Sequence, residues 1–266
     1  MIEGIRKIVF LFLVGISVSY SSAQILKVDK GSLASDSSNY FTGVIDATFA
    51  INNRSSTVEE QNVYIGVNNN IDVVYIAEKS ATVFISGLNY FKLGDGPLIY
   101  NGTAHLRQIL KRSAKLTPEF FGQVQFDESR NMEFRWLLGG GYRWNILRKR
   151  NPLYAGVGIF REYEKWNGIE EAIEKELWKL NSYVSADVRL TETTNINAIV
   201  YFQSGRDGDI GAFRNRLSGQ LEFKNALTDR FKVKMTTNFL LDDKPIIPLN
   251  KFIYEVYFGI EYSFNP

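Results

Sequence analysis

The sequence lacks cysteine altogether and contains a single histidine, His105, among its 266 residues. Disulfides and thiolate metal sites are therefore excluded, and one imidazole alone does not make a typical zinc site. The charge is nearly balanced, with 31 basic and 29 acidic side chains, so nothing in it favours binding to nucleic acid. We expect no metal and no cofactor.

Long apolar runs are also missing, with one exception near the amino terminus. Residues 8–18 are apolar, the basic pair Arg6-Lys7 precedes them, and Ser21-Ser22-Ala23 forms a small-residue cleavage site. This order is typical of a secretory signal peptide, which we place over residues 1–23. No second run of about 18 apolar residues follows, which disfavours a helical inner-membrane protein. No cysteine follows the cleavage site, which excludes a lipoprotein anchor.

What the sequence does contain is alternation of apolar with polar or small side chains, most clearly in its last segment. One face of that segment carries Tyr254, Val256, Phe258, Ile260, Tyr262 and Phe264. A strand of about 9 to 11 residues with this alternation is what a membrane-spanning barrel needs. We interpret Tyr262 and Phe264 as the outer-membrane insertion signal.

About twelve alternating segments follow a polar periplasmic lead-in at residues 24–39, an even number as in bacterial barrels. The predicted strands are 40–52, 61–76, 81–92, 99–111, 117–127, 132–146, 152–164, 176–190, 194–204, 211–225, 229–242 and 251–264. The sequence thus predicts an all-β fold, a transmembrane, antiparallel, up-and-down β-barrel over residues 40–266. Both termini would lie in the periplasm, with short periplasmic turns and longer outer loops.

The phase of each strand predicts which wall faces lipid. In segment 117–127, Phe120, Val124 and Phe126 share one face and Glu119 and Gln123 the other. Aromatic residues of the apolar faces lie near strand ends, as in the two girdles of a membrane barrel. The sequence of segment 81–92 does not indicate which of its two faces would be lipid-facing. The alternative is a soluble up-and-down barrel with a ligand-filled core, although strands there average nearer 5 to 6 residues.

The polar faces carry many charges of both signs. The predicted lumen-lining residues are His105, Arg107, Glu119, Glu133, Arg135, Arg143, Glu162, Asp187, Arg189, Arg214, Arg216, Glu222, Lys232, Lys234, Glu255 and Glu261. A twelve-stranded barrel is narrow, so opposite charges can meet across it and offset their desolvation. Among them we expect a basic cluster on adjacent strands, formed by Arg214, Arg216, Lys232 and Lys234.

The order of several short motifs resembles the YdiY-like salt-induced outer-membrane protein family, a domain of unknown function. The matching stretches are NYF at 89–91, HLR at 105–107, RWLLGGGY at 135–142, YAGVGIFRE at 154–162, LSGQL at 217–221 and YFGIEYSF at 257–264. The first hairpin matches less closely, because Asn52-Asn53 stands where the family often has Gly-Asn. The resemblance covers essentially the whole mature chain and implies an integral outer-membrane barrel, without a mechanism.

Three features bear on chemistry. A lipid-modifying barrel enzyme of the phospholipase or lipid A deacylase type would need His and Ser on the lipid-facing wall, whereas the strand phase puts His105 in the lumen. Asp207-Gly208-Asp209 offers only two carboxylates to a calcium ion, which needs six to eight oxygens, and a hairpin turn is favoured. Residues 169–177 have the spacing of a short amphipathic helix, with a solvated loop or strand extension as the alternative.

The resulting expectation is a monomer in the bacterial outer membrane that is not an enzyme. Its function would be restricted passage of small solutes or ions through a narrow, charge-lined lumen, or a structural role in the envelope; the alternative is the lipid-modifying enzyme. The expected partners are outer-membrane lipid and lipopolysaccharide, and the barrel-assembly machinery during insertion.

Overall fold

The computed structural model describes residues 39–52, 64–93, 96–148, 151–228 and 231–262. The predicted signal peptide, nearly all of the lead-in and Phe264 lie outside these residues. The described residues form an all-β fold with these strands: β1 (Tyr40–Asn52), β2 (Tyr64–Ile76), β3 (Ser80–Leu93), β4 (Gly96–Leu110), β5 (Leu116–Asp127), β6 (Met132–Leu147), β7 (Leu153–Asn167), β8 (Ala172–Arg189), β9 (Thr194–Asp207), β10 (Ala212–Ala226), β11 (Phe231–Asp242) and β12 (Phe252–Tyr262). The twelve predicted strands are confirmed, with no boundary wrong by more than four residues.

All twelve strands belong to one antiparallel sheet in which each strand pairs with its neighbours in sequence. This is the predicted up-and-down order. Within the described residues, β1 pairs only with β2 and β12 only with β11. No helix in this part of the chain is long and apolar enough to cross a membrane.

The sheet is strongly curled. Its curl is evident from contacts between side chains of strands that are not neighbours, which meet across the concave face. The hydroxyl of Tyr183 on β8 donates to Glu119 on β5 at 2.8 Å. The guanidinium of Arg107 on β4 lies 5.5 Å from the centre of the Tyr183 ring. On the other side, Arg216 of β10 reaches Glu164 of β7 at 3.1 Å. The concave side is called the inner face below, and the convex side the outer face.

The two faces have inverted polarity. The inner face buries charged side chains, with Glu162 only 1% exposed. The outer face exposes large apolar ones, with Val124 45% and Phe258 78% exposed. The predicted phase is confirmed in β5 and, from Arg135 onwards, in β6. In β3, whose phase the sequence leaves open, Val83 is buried and Phe84 is exposed. Apolar side chains are also buried on the inner face, in clusters between the charged groups. One such cluster lies near the first hairpins and consists of Val74, Ile76, Ala81, Val83 and Ile109.

The predicted contrast between short turns and long loops holds poorly. The connection at 168–171 has four residues, about as many as the 190–193 turn at the opposite end. The predicted amphipathic helix at 169–177 does not form, because β8 begins at Ala172 and pairs in register with β7, Glu174 opposite Lys165. The strand extension is therefore the correct alternative. The end with the 190–193 turn is called the turn end below, and the other the loop end.

A β-bulge interrupts the alternation at the start of β6. The pairing with β7 skips from Met132 to Phe134, so Glu133 is an extra residue. Met132 and Arg135 both lie on the inner face, whereas Glu133 and Phe134 are exposed. A bulge changes the phase of a strand by one residue. Strict alternation, counted from Arg135 towards the amino terminus, therefore places Glu133 on the wrong face.

Two glycines on the inner face allow a neighbouring aromatic residue to approach closely. A Cβ at Gly156 would lie 2.1 Å from the Tyr183 ring, and one at Gly139 would lie 2.4 Å from Phe160 Cβ. These glycines allow Tyr183 and Phe160 to fill the interior of the curled sheet.

Candidate functional site: the charged interior

The largest group of buried charges lies towards the loop end and is called the Glu162 network; its members are Arg135, Glu162, Glu164, Lys179, Arg216 and Asp242. Glu162 is its centre. Its carboxylate contacts Lys179, accepts from Arg135 Nε at 2.6 Å, and lies 3.5 Å from Arg216 Nη1. Arg216 continues the network to Asp242, with Nη2 and Oδ2 2.9 Å apart.

The Glu162 network is electrically balanced, with three cations and three carboxylates. Buried ions must be paired and hydrogen-bonded, because their removal from water costs several kcal/mol each. Every member contacts at least one member of opposite sign. The Glu162 network therefore carries no net charge of its own.

A second group, called the Glu119 network, lies nearer the turn end and consists of Arg107, Glu119, Arg143 and Tyr183. The Glu119 carboxylate lies 3.6 Å from Arg107 and 3.3 Å from Arg143, and also accepts from Tyr183. Two cations share one carboxylate here. Aromatic faces compensate, because Arg143 lies 4.8 Å from the centre of the Tyr154 ring and Arg107 5.7 Å from that of Phe121.

At the loop-end rim, the two aspartates of the 207–209 turn are occupied by cations of the chain itself. Asp207 accepts from Arg214 Nε at 2.6 Å, and Lys175 contacts both Asp207 and Asp209. Among the described residues, no group of three or more His, Asp or Glu side chains could hold a metal ion. The turn closes the β9–β10 hairpin, as expected from its sequence.

Residues 243–251 connect β11 and β12 and fold over the loop end of the inner face; they are called the capping loop. Ile247 is 6% exposed and packs against Met132 and Trp166. The start of the loop is fixed by Asp243, which accepts from the backbone N–H of Asn215 at 2.7 Å. The capping loop thus covers the interior with an apolar side chain at its centre.

We expect the capping loop to limit access to the interior. The chain has no native cysteine, so Ser218→Cys places one thiol in the wall beneath the loop. Adding Ile247→Ser should accelerate its reaction with a small methanethiosulfonate reagent roughly tenfold or more, because burying isoleucine contributes about 1.5–3 kcal/mol. A Glu192→Cys thiol in the exposed turn should react equally fast with or without Ile247→Ser. Equal rates at Ser218→Cys would show that the loop does not close the interior.

Beneath the capping loop lies a cavity of about 130 Å³. Its wall includes His105, Tyr201 and Asn181, together with Arg135 and Arg216 of the Glu162 network. The wall also includes Arg107, so the cavity borders the Glu119 network as well.

A chain of hydrogen bonds orients His105 at the cavity wall. Arg135 Nη1 donates to Gln125 Oε1 at 2.9 Å, and Gln123 Nε2 donates to the same oxygen at 2.6 Å. Arginine can only donate, so Gln125 must present its oxygen and Gln123 its amide nitrogen. The side-chain oxygen of Gln123 then lies 3.0 Å from His105 Nδ1 and accepts a hydrogen bond from the Nδ1–H group. In the neutral ring, Nε2 is therefore an acceptor.

The structure places most of the predicted lumen-lining residues on the inner face. Buried there are His105, Arg107, Glu119, Arg135, Arg143, Glu162, Arg214 and Glu222, and half-buried are Asp187, Arg216, Lys232 and Lys234. Arg189 shares the phase of Asp187 and is exposed at the end of β8. Glu255, Glu261 and Tyr262 belong to β12 by backbone pairing, opposite Asn238, Lys232 and Phe231.

Two predictions about this face are wrong. Glu133 lies outside it because of the β-bulge and bonds Lys165 at 2.7 Å. The expected basic cluster does not form: Arg214 pairs with Asp207, Arg216 with the Glu162 network, and Lys234 lies 3.5 Å from Glu222.

The predicted lumen-lining residues omit two carboxylates that complete the Glu162 network, Glu164 and Asp242. Each is the last residue of its predicted strand, although alternation puts Asp242 on the same face as Lys232 and Lys234. Their spacing was a usable signal, because Glu164 follows Glu162 by two residues and therefore shares its face.

Comparison of the chain with protein-family models, with curated proteins and with solved structures gives no match.

Proposed function

We propose that the chain is an integral barrel of the bacterial outer membrane with a closed, charge-filled interior. The observation that carries this proposal is the inverted polarity of the sheet. A water-soluble protein would bury its apolar face, whereas this sheet buries ion pairs and exposes aromatic and aliphatic side chains along its strands. Lipid is the solvent that makes such an arrangement favourable.

The outer face of β8 has the height that a membrane requires. Its apolar side chains run from Trp178 to Leu190, the first residue after the strand, with Ser182 as the one polar position between them. This span is roughly 28 Å at 3.3 Å per residue and a tilt of about 45°. Towards the loop end the same wall becomes charged, with Arg161 paired to Glu176 at 2.6 Å. This boundary matches a membrane-facing band with a hydrated rim above it.

Closure between β1 and β12 is part of the proposal. Open edges present rows of unpaired N–H and C=O groups, which cost several kcal/mol each in hydrocarbon. Both edge strands expose apolar side chains on the outer face, Phe41 and Phe49 in β1 and Phe258 in β12. Pairing these two edges would remove the last open backbone groups of the sheet.

The filled interior favours a structural role in the envelope, with any passage restricted to water and small ions. Two charged networks cross the inner face, and the cavity between them and the capping loop is only about 130 Å³. No observation favours the lipid-modifying enzyme, since the one histidine lies on the inner face. The resemblance to the YdiY-like family agrees with the location and assigns no activity.

Reconstitution into planar lipid bilayers tests the proposal. The folded protein, recognised by a heat-dependent shift of its mobility in SDS gels, should insert and show a conductance far below that of a sixteen-stranded porin. Identically treated, heat-unfolded protein should give no defined steps. A large, unselective conductance would contradict the closed interior, and failure of folded protein to enter lipid would contradict the membrane barrel.

A further inference from the structure

The cavity beneath the capping loop contains buried polar atoms that the chain itself does not satisfy. His105 is 7% exposed and Asn181 5% exposed, and both line the cavity. His105 Nε2, Asn181 Oδ1 and Arg107 Nε have no hydrogen-bond partner among the described residues. A buried polar atom without a partner costs about 1–3 kcal/mol, so three of them in one wall indicate an occupant that completes their bonds.

The chemistry of these atoms defines the occupant. Two are acceptors, Asn181 Oδ1 and, by the hydrogen-bond chain from Arg135, His105 Nε2. The third, Arg107 Nε, is a donor. A matching molecule offers at least two hydrogen-bond donors and one acceptor, which a hydroxyl compound provides from neighbouring groups.

The occupant is uncharged, because the unpaired atoms suit neither sign of ion. An anion could not donate to His105 Nε2 and Asn181 Oδ1, and a cation would meet the Arg107 guanidinium. In the rest of the wall, Arg135 and Arg216 are already bound to Glu162, Glu164 and Asp242, so an added ion would be desolvated there without a free counter-charge. Its size follows from the volume: an engineered cavity of about 150 Å³ holds benzene, so about 130 Å³ suits roughly six heavy atoms.

We propose that this cavity binds a small uncharged polyol of the size of glycerol, whose hydroxyls donate to His105 Nε2 and Asn181 Oδ1 and accept from Arg107 Nε. The aromatic rings of Phe121 and Tyr201 in the same wall would contact its carbon-bound hydrogens. The inference concerns the interior of the folded chain, and so does not depend on the proposed membrane location.

The single histidine makes a direct test possible. In refolded protein carrying ¹⁵N-labelled histidine, one imidazole spin system reports on His105 alone. Its Nδ1 should carry the proton and its Nε2 should not. Glycerol should shift the Nε2 resonance saturably, whereas mannitol, twice as large, should not shift it at matched concentration.

Asn181→Leu is the matched variant, because it removes one acceptor while keeping a side chain of similar size. It should weaken glycerol binding roughly tenfold, the value of about one lost hydrogen bond, while the folded spectrum is retained. Should Asn181→Leu fail to fold, Ser218→Leu, which fills part of the cavity from β10, serves instead and should abolish the saturable shift. The proposal would be overturned by a shift of the Nε2 resonance that does not saturate, or that is equal for mannitol. It would also be overturned if the glycerol affinity were unchanged in the variant, or if Nε2 carried the proton. The cavity would then hold water only.

Discussion

Glu162→Gln is expected to cost about 3–5 kcal/mol of unfolding free energy, the typical effect of removing one partner from a buried ion pair. The substitution keeps the shape of the side chain but leaves Arg135, Lys179 and Arg216 with two carboxylates in place of three. Glu162 is 1% exposed, so water cannot replace the lost charge. Urea titration of the protein folded into lipid vesicles would measure the loss.

Glu176→Gln is the control for this prediction. Glu176 also bonds an arginine, Arg161, at 2.6 Å, but on the solvent-exposed wall near the loop end. Exposed pairs contribute little because water and salt screen them. Similar losses for the two variants would mean that the Glu162 network is hydrated and that the interior is more open than the contacts indicate.

The second large effect is expected on the outer face. On the proposed membrane location, Val124→Arg should reduce stability in lipid by about 2–4 kcal/mol if Val124 lies near the bilayer midplane, since an arginine there must be held in hydrocarbon. Val124 is already 45% exposed and has no buried role that the larger side chain would disturb. The same vesicle titration, together with the yield of inserted protein, would show the loss.

Ile210→Arg is the matched control, because it makes the same kind of change at an exposed apolar residue in the β9–β10 turn, outside the strands. It should be almost neutral. A water-soluble protein with this sheet would tolerate Val124→Arg equally well, or gain solubility from it. A harmless Val124→Arg would therefore exclude lipid as the solvent of the outer face.

Local alternation is enough to predict the strands and their faces, because side chains two residues apart share a face whatever lies across the sheet. It fails where pairing overrides local preference. Residues 169–177 have helical spacing, yet the register between β7 and β8 holds Glu174 opposite Lys165 in a strand. It also fails at Glu133, since a bulge depends on the partner strand.

The sequence predicts which side chains lie in the interior, but not which of them bond to one another. The sequence shows that Glu119 and Arg143 have inner phase. It does not show that Tyr183, three strands away from Glu119, donates a hydrogen bond to the Glu119 carboxylate. Such contacts depend on how tightly the sheet curls, which no single strand encodes. Ile247 was missed for the same reason, because its burial comes from the path of the capping loop over Met132 and Trp166.

The paired ions of the Glu162 network also affect how the fold responds to heat. The hydration of charged groups becomes less favourable as temperature rises, so the penalty for keeping them away from water falls, whereas hydrophobic stabilisation reaches a plateau. An interior joined by Arg135, Lys179 and Arg216 to three carboxylates therefore loses less of its cohesion on warming than one packed with hydrocarbon. On warming, the contacts of the Glu162 network would therefore outlast the apolar contacts of the inner face.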